Sequence, residues 1–165
     1  DLQKTMSITP AYLVTQDADG IQDYSQITME LGRRFRALKL WFVIRAYGVA
    51  GLQKIIRDHV AWAEQLAERL GMVPGIELIS PVQLGLFSFR LRPEGTEDGE
   101  ALDRLNAEFL DAVNGDGTIY LTQTVHEGRY IIRVSIGTTA TSQDDIDIAF
   151  DTIMRLAAPY LKTAT

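Results

Sequence analysis

The chain has 165 residues, 46% of them hydrophobic and 23% charged, with a net charge of −6 and no cysteine. That composition suits one globular domain with a sizeable core, and the missing thiols exclude disulfides, thiol catalysis and thiolate metal sites. The acidic balance argues against nucleic acid as the main partner, and no apolar run approaches the roughly 18 residues that span a membrane.

The first thirty residues differ in material from the rest. Ser7-Ile8-Thr9-Pro10 reads as extended or turn, because proline disfavours helix at the residue before it. Ala11-Tyr12-Leu13-Val14 is a short apolar patch, and residues 16–23 are polar, acidic and contain glycine, as in an exposed loop. No charged, apolar and small-residue succession of a secretory signal opens the chain, which together with the absent cysteines fits a reducing, cytoplasmic setting.

Residues 31–48, LGRRFRALKLWFVIRAYG, stand apart from everything else. From Leu38 to Ile44 every position but Lys39 is apolar, so a helix here is hydrophobic almost all round and must be covered on all sides. The segment also holds Arg33, Arg34, Arg36, Lys39 and Arg45 with no acid, a local charge of +5. Cations in the first turns oppose the helix macrodipole by a few tenths of a kcal/mol each, so an anionic neighbour is expected. A core helix with salt bridges would explain both features, but 165 residues hardly surround such a helix and also serve its basic start. The segment is therefore expected to pack against protein outside this chain.

Gly48 and Gly51 interrupt, and a second helix is predicted over residues 52–70, with Leu52, Ile55, Ile56, Val60, Ala63 and Leu66 on one apolar stripe. Gly71 and Pro74 stop it. From Gly75 the period becomes two. Ile76 and Leu78 form a strand that Pro81 should end, and Phe87, Phe89 and Leu91 form the next. An acidic, glycine-rich loop over 93–99 precedes a helix over 100–114, which carries Leu102, Leu105, Phe109, Leu110 and Val113 and is closed by Gly115-Asp116-Gly117. Strands over 118–125 and 129–136 flank a hairpin turn at His126-Glu127-Gly128. Thr141 and Ser142 are candidate caps of a last helix with Ile146, Ala149, Phe150, Ile153 and Ala157 buried. The order β-β-α-β-β-α predicts an α+β domain, an antiparallel sheet with helices on one face.

Familiar catalytic constellations are missing. His59 and His126 lack ligand spacing and read as structural or surface residues, so no metal site is expected. The acidic pairs Glu97-Asp98 and Asp144-Asp145 read as solvated or helix-capping. No nucleophile paired with its own base can be assembled.

Residues 31–60, LGRRFRALKLWFVIRAYGVAGLQKIIRDHV, resemble the corresponding stretch of the pyridoxal-phosphate-dependent group II amino-acid decarboxylases, the aromatic L-amino-acid branch in particular. SITPAYL at residues 7–13 and Asp23-Tyr24 fall where that family has a proline-x-tyrosine-leucine and an aspartate-tyrosine element. LGLFSFRL at 84–91 and the strand over 130–137 resemble its small C-terminal domain. The resemblance implies the last third of a decarboxylase subunit. Residues 1–48 would end the large cofactor domain of fold type I, with a catalytic loop and linking helix, and 49–165 would be the small domain. It also implies pyridoxal 5'-phosphate as cofactor, held by a lysine absent from this chain, a homodimer partner, and an amino-acid substrate decarboxylated to an amine and CO2. Alone, the chain should be inactive.

Two positions carry implied roles. Tyr12 matches the catalytic-loop tyrosine that reaches the partner subunit's site and protonates the substrate α-carbon once CO2 has left, where aldehyde-forming relatives have phenylalanine. A phenol excluded from water suits that task as a general acid. Gly32 matches a pocket position where glycine leaves room for a large aromatic or indole side chain. Arg33, Arg34 and Arg36 would anchor the interface or loop. Met29-Glu30 replaces the family's isoleucine-proline and no tryptophan stands near Ile27, departures that bear on substrate rather than reaction. The alternative from a different class is a non-enzymatic module that binds an effector or dimerises through its α+β part. It predicts residues 38–44 fully covered by residues 75–165.

Overall fold

The computed structural model describes residues 34–161. The chain divides into two compact units, Asp1–Ala46 and Tyr47–Thr165. The elements are α1 (Ala37–Gly71), β1 (Ile76–Gln83), β2 (Leu86–Leu91), α2 (Glu100–Asp116), β3 (Thr122–His126), β4 (Arg129–Ser135) and α3 (Gln143–Leu161). The backbone of α1 is broken at Gly48, whose φ of 67° and ψ of 164° are conformations that glycine alone adopts readily. Gly51, expected to break the chain too, stays helical, so the second helical run starts just after Gly48 rather than at Leu52.

In the second unit the order is the expected β-β-α-β-β-α, and all pairing is antiparallel with strand order β1-β2-β4-β3. The register explains the core. Phe87 faces Val134, Phe89 faces Ile132 and Leu91 faces Ile76, so period-two alternation sends all six to one side of the sheet. There they meet Leu66 and Leu70 of α1, Phe109 and Val113 of α2, and Ile153 and Ala157 of α3. Phe109 sets its ring edge-on to both Phe89 and Tyr160. The stripes of α2 and α3 bury as their spacing predicts, whereas Ile56 on α1 is 57% exposed and does not belong to the stripe.

Three boundaries differ from the sequence expectation for physical reasons. Strand β1 runs through Pro81 to Gln83, because an edge strand loses nothing by lacking an outward N–H. Strand β3 starts at Thr122 rather than 118, since the N–H and C=O of Leu121 go to the Asn114 carboxamide on α2. Its turn is the two-residue Glu127-Gly128, both at positive φ (51° and 77°), the pattern that matches strand twist. At the other hairpin, Gly85 O accepts from Ile136 N at 2.8 Å, and a Cβ on Gly85 would stand 2.3 Å from the Ile136 carbonyl oxygen.

Helix ends follow the expected chemistry. Gly117 closes α2 in the left-handed conformation, and the Asp145 carboxylate accepts both the N–H and the hydroxyl of Ser142 at 2.8 Å, which starts α3.

Candidate functional site

Tyr12, Gly32 and Arg33 lie outside the described residues, so the described part of the predicted site begins at Arg34. From there the basic and apolar segment is exposed as a helix over residues 37–46. Leu40 is 61%, Phe42 57% and Trp41 54% exposed, with Phe35, Leu38, Val43 and Ile44 exposed as well. A helix of Leu, Trp, Phe, Val and Ile forms readily once covered, yet here its burial is not supplied.

Among the described residues its ring contacts lie within the segment itself. The Trp41 ring meets Phe42 edge-on at 5.1 Å, and the Arg45 guanidinium lies 5.7 Å from the Trp41 ring centre. At an exposed site that cation–π contact contributes about 0.5–1 kcal/mol. Among the described residues no carboxylate pairs with Arg34, Arg36, Lys39 or Arg45. The anionic neighbour expected from the sequence is therefore not among them. Phe35, Leu38, Leu40, Trp41 and Ile44 border a hollow of about 530 Å³ with almost no polar wall.

The described residues do not fit covalent capture of pyridoxal phosphate. Lys54 is exposed and bound to Asp58 at 2.5 Å, and Lys39 does not line the hollow. Among the described residues no group of three His, Cys, Asp or Glu side chains could hold a metal ion. His59 is nearly buried against Trp62, and its Nε2 donates to the Thr138 carbonyl at 3.1 Å, a structural post. His126 ends β3, exposed. A second hollow, about 450 Å³, lies within the second unit between Leu66, Leu121, Val134 and Ile146. Among the described residues the only charged side chain on its wall is Asp145, which already caps α3.

The strongest electrostatic feature escaped the sequence reading. Arg90 of β2 is fully buried, its Nε donates to Glu77 at 2.8 Å, and one Nη donates to Asp98. Burial pulls its pKa down, but the hydrogen bonds to Glu77 and Asp98 more than reverse this and keep it charged. Asp98, expected to be solvated or helix-capping, is held below the usual carboxylate range chiefly by the hydrogen bond from Arg90. Asp116 is lowered by Thr118 and then Arg155, and Asp145 by Ser142. Tyr130 is raised by burial and by Asp111. Asp98, Asp116 and Asp145 are engaged in ion pairs or hydrogen bonds that brace the domain. An arginine at an outward-alternating strand position looks like any surface cation, so the sequence carried no signal for it.

Comparison with known proteins supplies what the described geometry lacks. The family described as "Pyridoxal-dependent decarboxylase conserved domain" matches residues 1–92. Tyrosine decarboxylase 4 of Petroselinum crispum is 34% identical over 168 residues, covering 99% of this chain and 33% of its own length. A tryptophan decarboxylase of Camptotheca acuminata is 37% identical over 163 residues, covering 98% and 32%. The crystal structure of Oryza sativa TDC with PLP and tryptamine superposes with a TM-score of 0.85 at 29% identity, over 97% of this chain and 34% of that one. The chain thus spans about a third of the length of the relatives it matches.

Proposed function

Because this chain belongs to the pyridoxal-dependent decarboxylase family, we propose that it serves as the C-terminal third of a carboxy-lyase subunit. The reaction removes the α-carboxylate of an aromatic amino acid to give an amine and CO2, in a cytoplasmic homodimer. The observation that carries this reading is the apolar run 38–44, exposed along its whole length and flanked by cations without carboxylates among the described residues.

In this reading residues 1–48 close a large cofactor-bearing domain and 49–165 form the small domain. The break at Gly48 and the separation of the chain near Ala46 support such a division. A lysine outside this chain would hold pyridoxal phosphate, which would supply the electron sink. Tyr12 donates the proton that replaces CO2 on the substrate α-carbon, and Gly32 leaves space for the aromatic side chain. The names of the relatives, tyrosine and tryptophan decarboxylases, support an aromatic substrate.

The test uses the complete subunit with pyridoxal phosphate and tryptophan, tyrosine or dopa, and measures CO2 and amine. The wild type is expected to yield both in equal amounts, and Tyr12→Phe to lose amine. Amine production unchanged by Tyr12→Phe removes the tyrosine from the mechanism. No CO2 from any aromatic amino acid overturns the substrate class.

A further inference from the structure

The chain has two asparagines, Asn106 and Asn114, and their neighbours set them apart chemically. Asparagine is thermolabile because the backbone nitrogen of the next residue can attack its side-chain carbonyl carbon. Asn106 is fully buried and is followed by Ala107. Asn114 is half-buried and is followed by Gly115, which is exposed and has no Cβ to crowd the attack. Two constraints guard this second pair in the fold. The Asn114 carboxamide donates to Leu121 O at 3.1 Å and accepts from Leu121 N at 2.9 Å. Both residues are also helical, which commits the Gly115 N–H to the preceding turn. Yet α2 ends at Asp116, so the pair sits in its last turn, and helix ends open at far lower cost than interiors.

We propose that Asn114 is a deamidation site gated by the last turn of α2. When that turn opens, the Gly115 nitrogen attacks Asn114 Cγ, its proton leaves with the side-chain nitrogen as ammonia, and a ring imide forms. Water then opens the imide, so that carboxamide and water become carboxylate and ammonium, in an aspartate or isoaspartate. Nothing but water is consumed. The product cannot restore the fastening, because a carboxylate has no N–H to offer Leu121 O. It also adds an anion one turn from Asp111, in a last turn without a basic residue, where the macrodipole disfavours negative charge. Deamidation thus frees Leu121 at the entry to β3 and leaves the end of α2 frayed, a one-way change. Every residue involved lies in the second unit, so the site is independent of the decarboxylase reading.

The experiment incubates the 165-residue chain in mildly alkaline buffer, folded and unfolded in urea, and follows both asparagines by peptide mass. Asn114 is expected to convert at least about tenfold faster in urea than in the folded chain. In urea Asn106, with alanine after it, should lag Asn114 by about tenfold or more. Gly117 caps α2 at a φ of 77°, so Gly117→Ala frays the last turn and should speed conversion of Asn114 several-fold in the folded chain. Gly115→Ala, whose methyl meets nothing within 4 Å, leaves the helix intact and should slow conversion about tenfold even in urea. Hydrogen exchange at the Leu121 amide should be faster in the converted chain than in the unconverted one. Equal conversion of Asn114 in the folded chain and in urea overturns the gate. Equal conversion of the two asparagines in urea, or indifference to Gly115→Ala, overturns the site. Leu121 exchange that conversion leaves unchanged overturns the release.

Discussion

The carboxamide of Asn106 accepts from Leu91 N at 2.7 Å and donates to Leu91 O at 2.9 Å, so a helix side chain takes the place of a neighbouring strand. Pairing of β2 with β4 has just ended at Phe89–Ile132, which leaves the next backbone groups without partners. Asp103 meets the same need on β4 by accepting from Tyr130 N, and Asn114 does so for Leu121. One helix thus finishes the ladder that two strands leave open.

Asn106→Leu keeps the volume but strands two buried backbone groups, each costing about 1–3 kcal/mol. It is expected to lower stability by about 3 kcal/mol in urea titration. Asn114→Leu should cost less, about 1 kcal/mol, since the Leu121 groups are only partly buried.

Acid should weaken the domain through particular carboxylates. The folded pKa values of Asp98, Asp116 and Asp145 lie below the ordinary value, so their contributions are complete at neutral pH. They are lost as pH falls below about 4 and through the depressed folded values. Urea midpoints measured at successive pH values should decline over that interval. Asp98→Asn should flatten the decline, because Arg90 stays protonated throughout.

Two glycines predict opposite signs. Gly85→Ala would press a methyl against the Ile136 carbonyl and should destabilise by about 1–3 kcal/mol. Gly115 lies in the last turn of α2 with open space at its Cβ position, so Gly115→Ala should stabilise by up to about 1 kcal/mol. Thermal unfolding of both variants checks the pair.

Leu40→Glu should leave the stability of this chain within about 0.5 kcal/mol, because the side chain is exposed. In the complete subunit the same change should abolish assembly and with it amine production. Sedimentation of the isolated chain and of the complete subunit, side by side, separates the two effects.

The sequence was most legible where period alone decides. The 3.6-residue stripes of α2 and α3 and the alternation of Phe87, Phe89 and Leu91 led to the β-β-α-β-β-α order and its core. What escaped was polar burial. Asn106 and Asn114 look like defects in an apolar stripe, and nothing local marks a carboxamide that will complete a distant strand. Pro81 was read as a stop because its place on an edge depends on strand order, which local pattern does not encode. Tyr12 and Gly32 are singled out by family resemblance alone, and they lie outside the described residues.

Asn106 and Asn114 stand eight positions apart, about 12 Å along the axis of α2, one bolted to β2 and the other to Leu121 at the entry to β3. A rod fastened at two points can neither slide nor roll. Adding or deleting one residue between them would turn one bolt by about 100° away from its strand. Length changes should therefore be tolerated in the 93–99 loop, and the helix between its two fastenings should keep its length as strictly as a ruler keeps its marks.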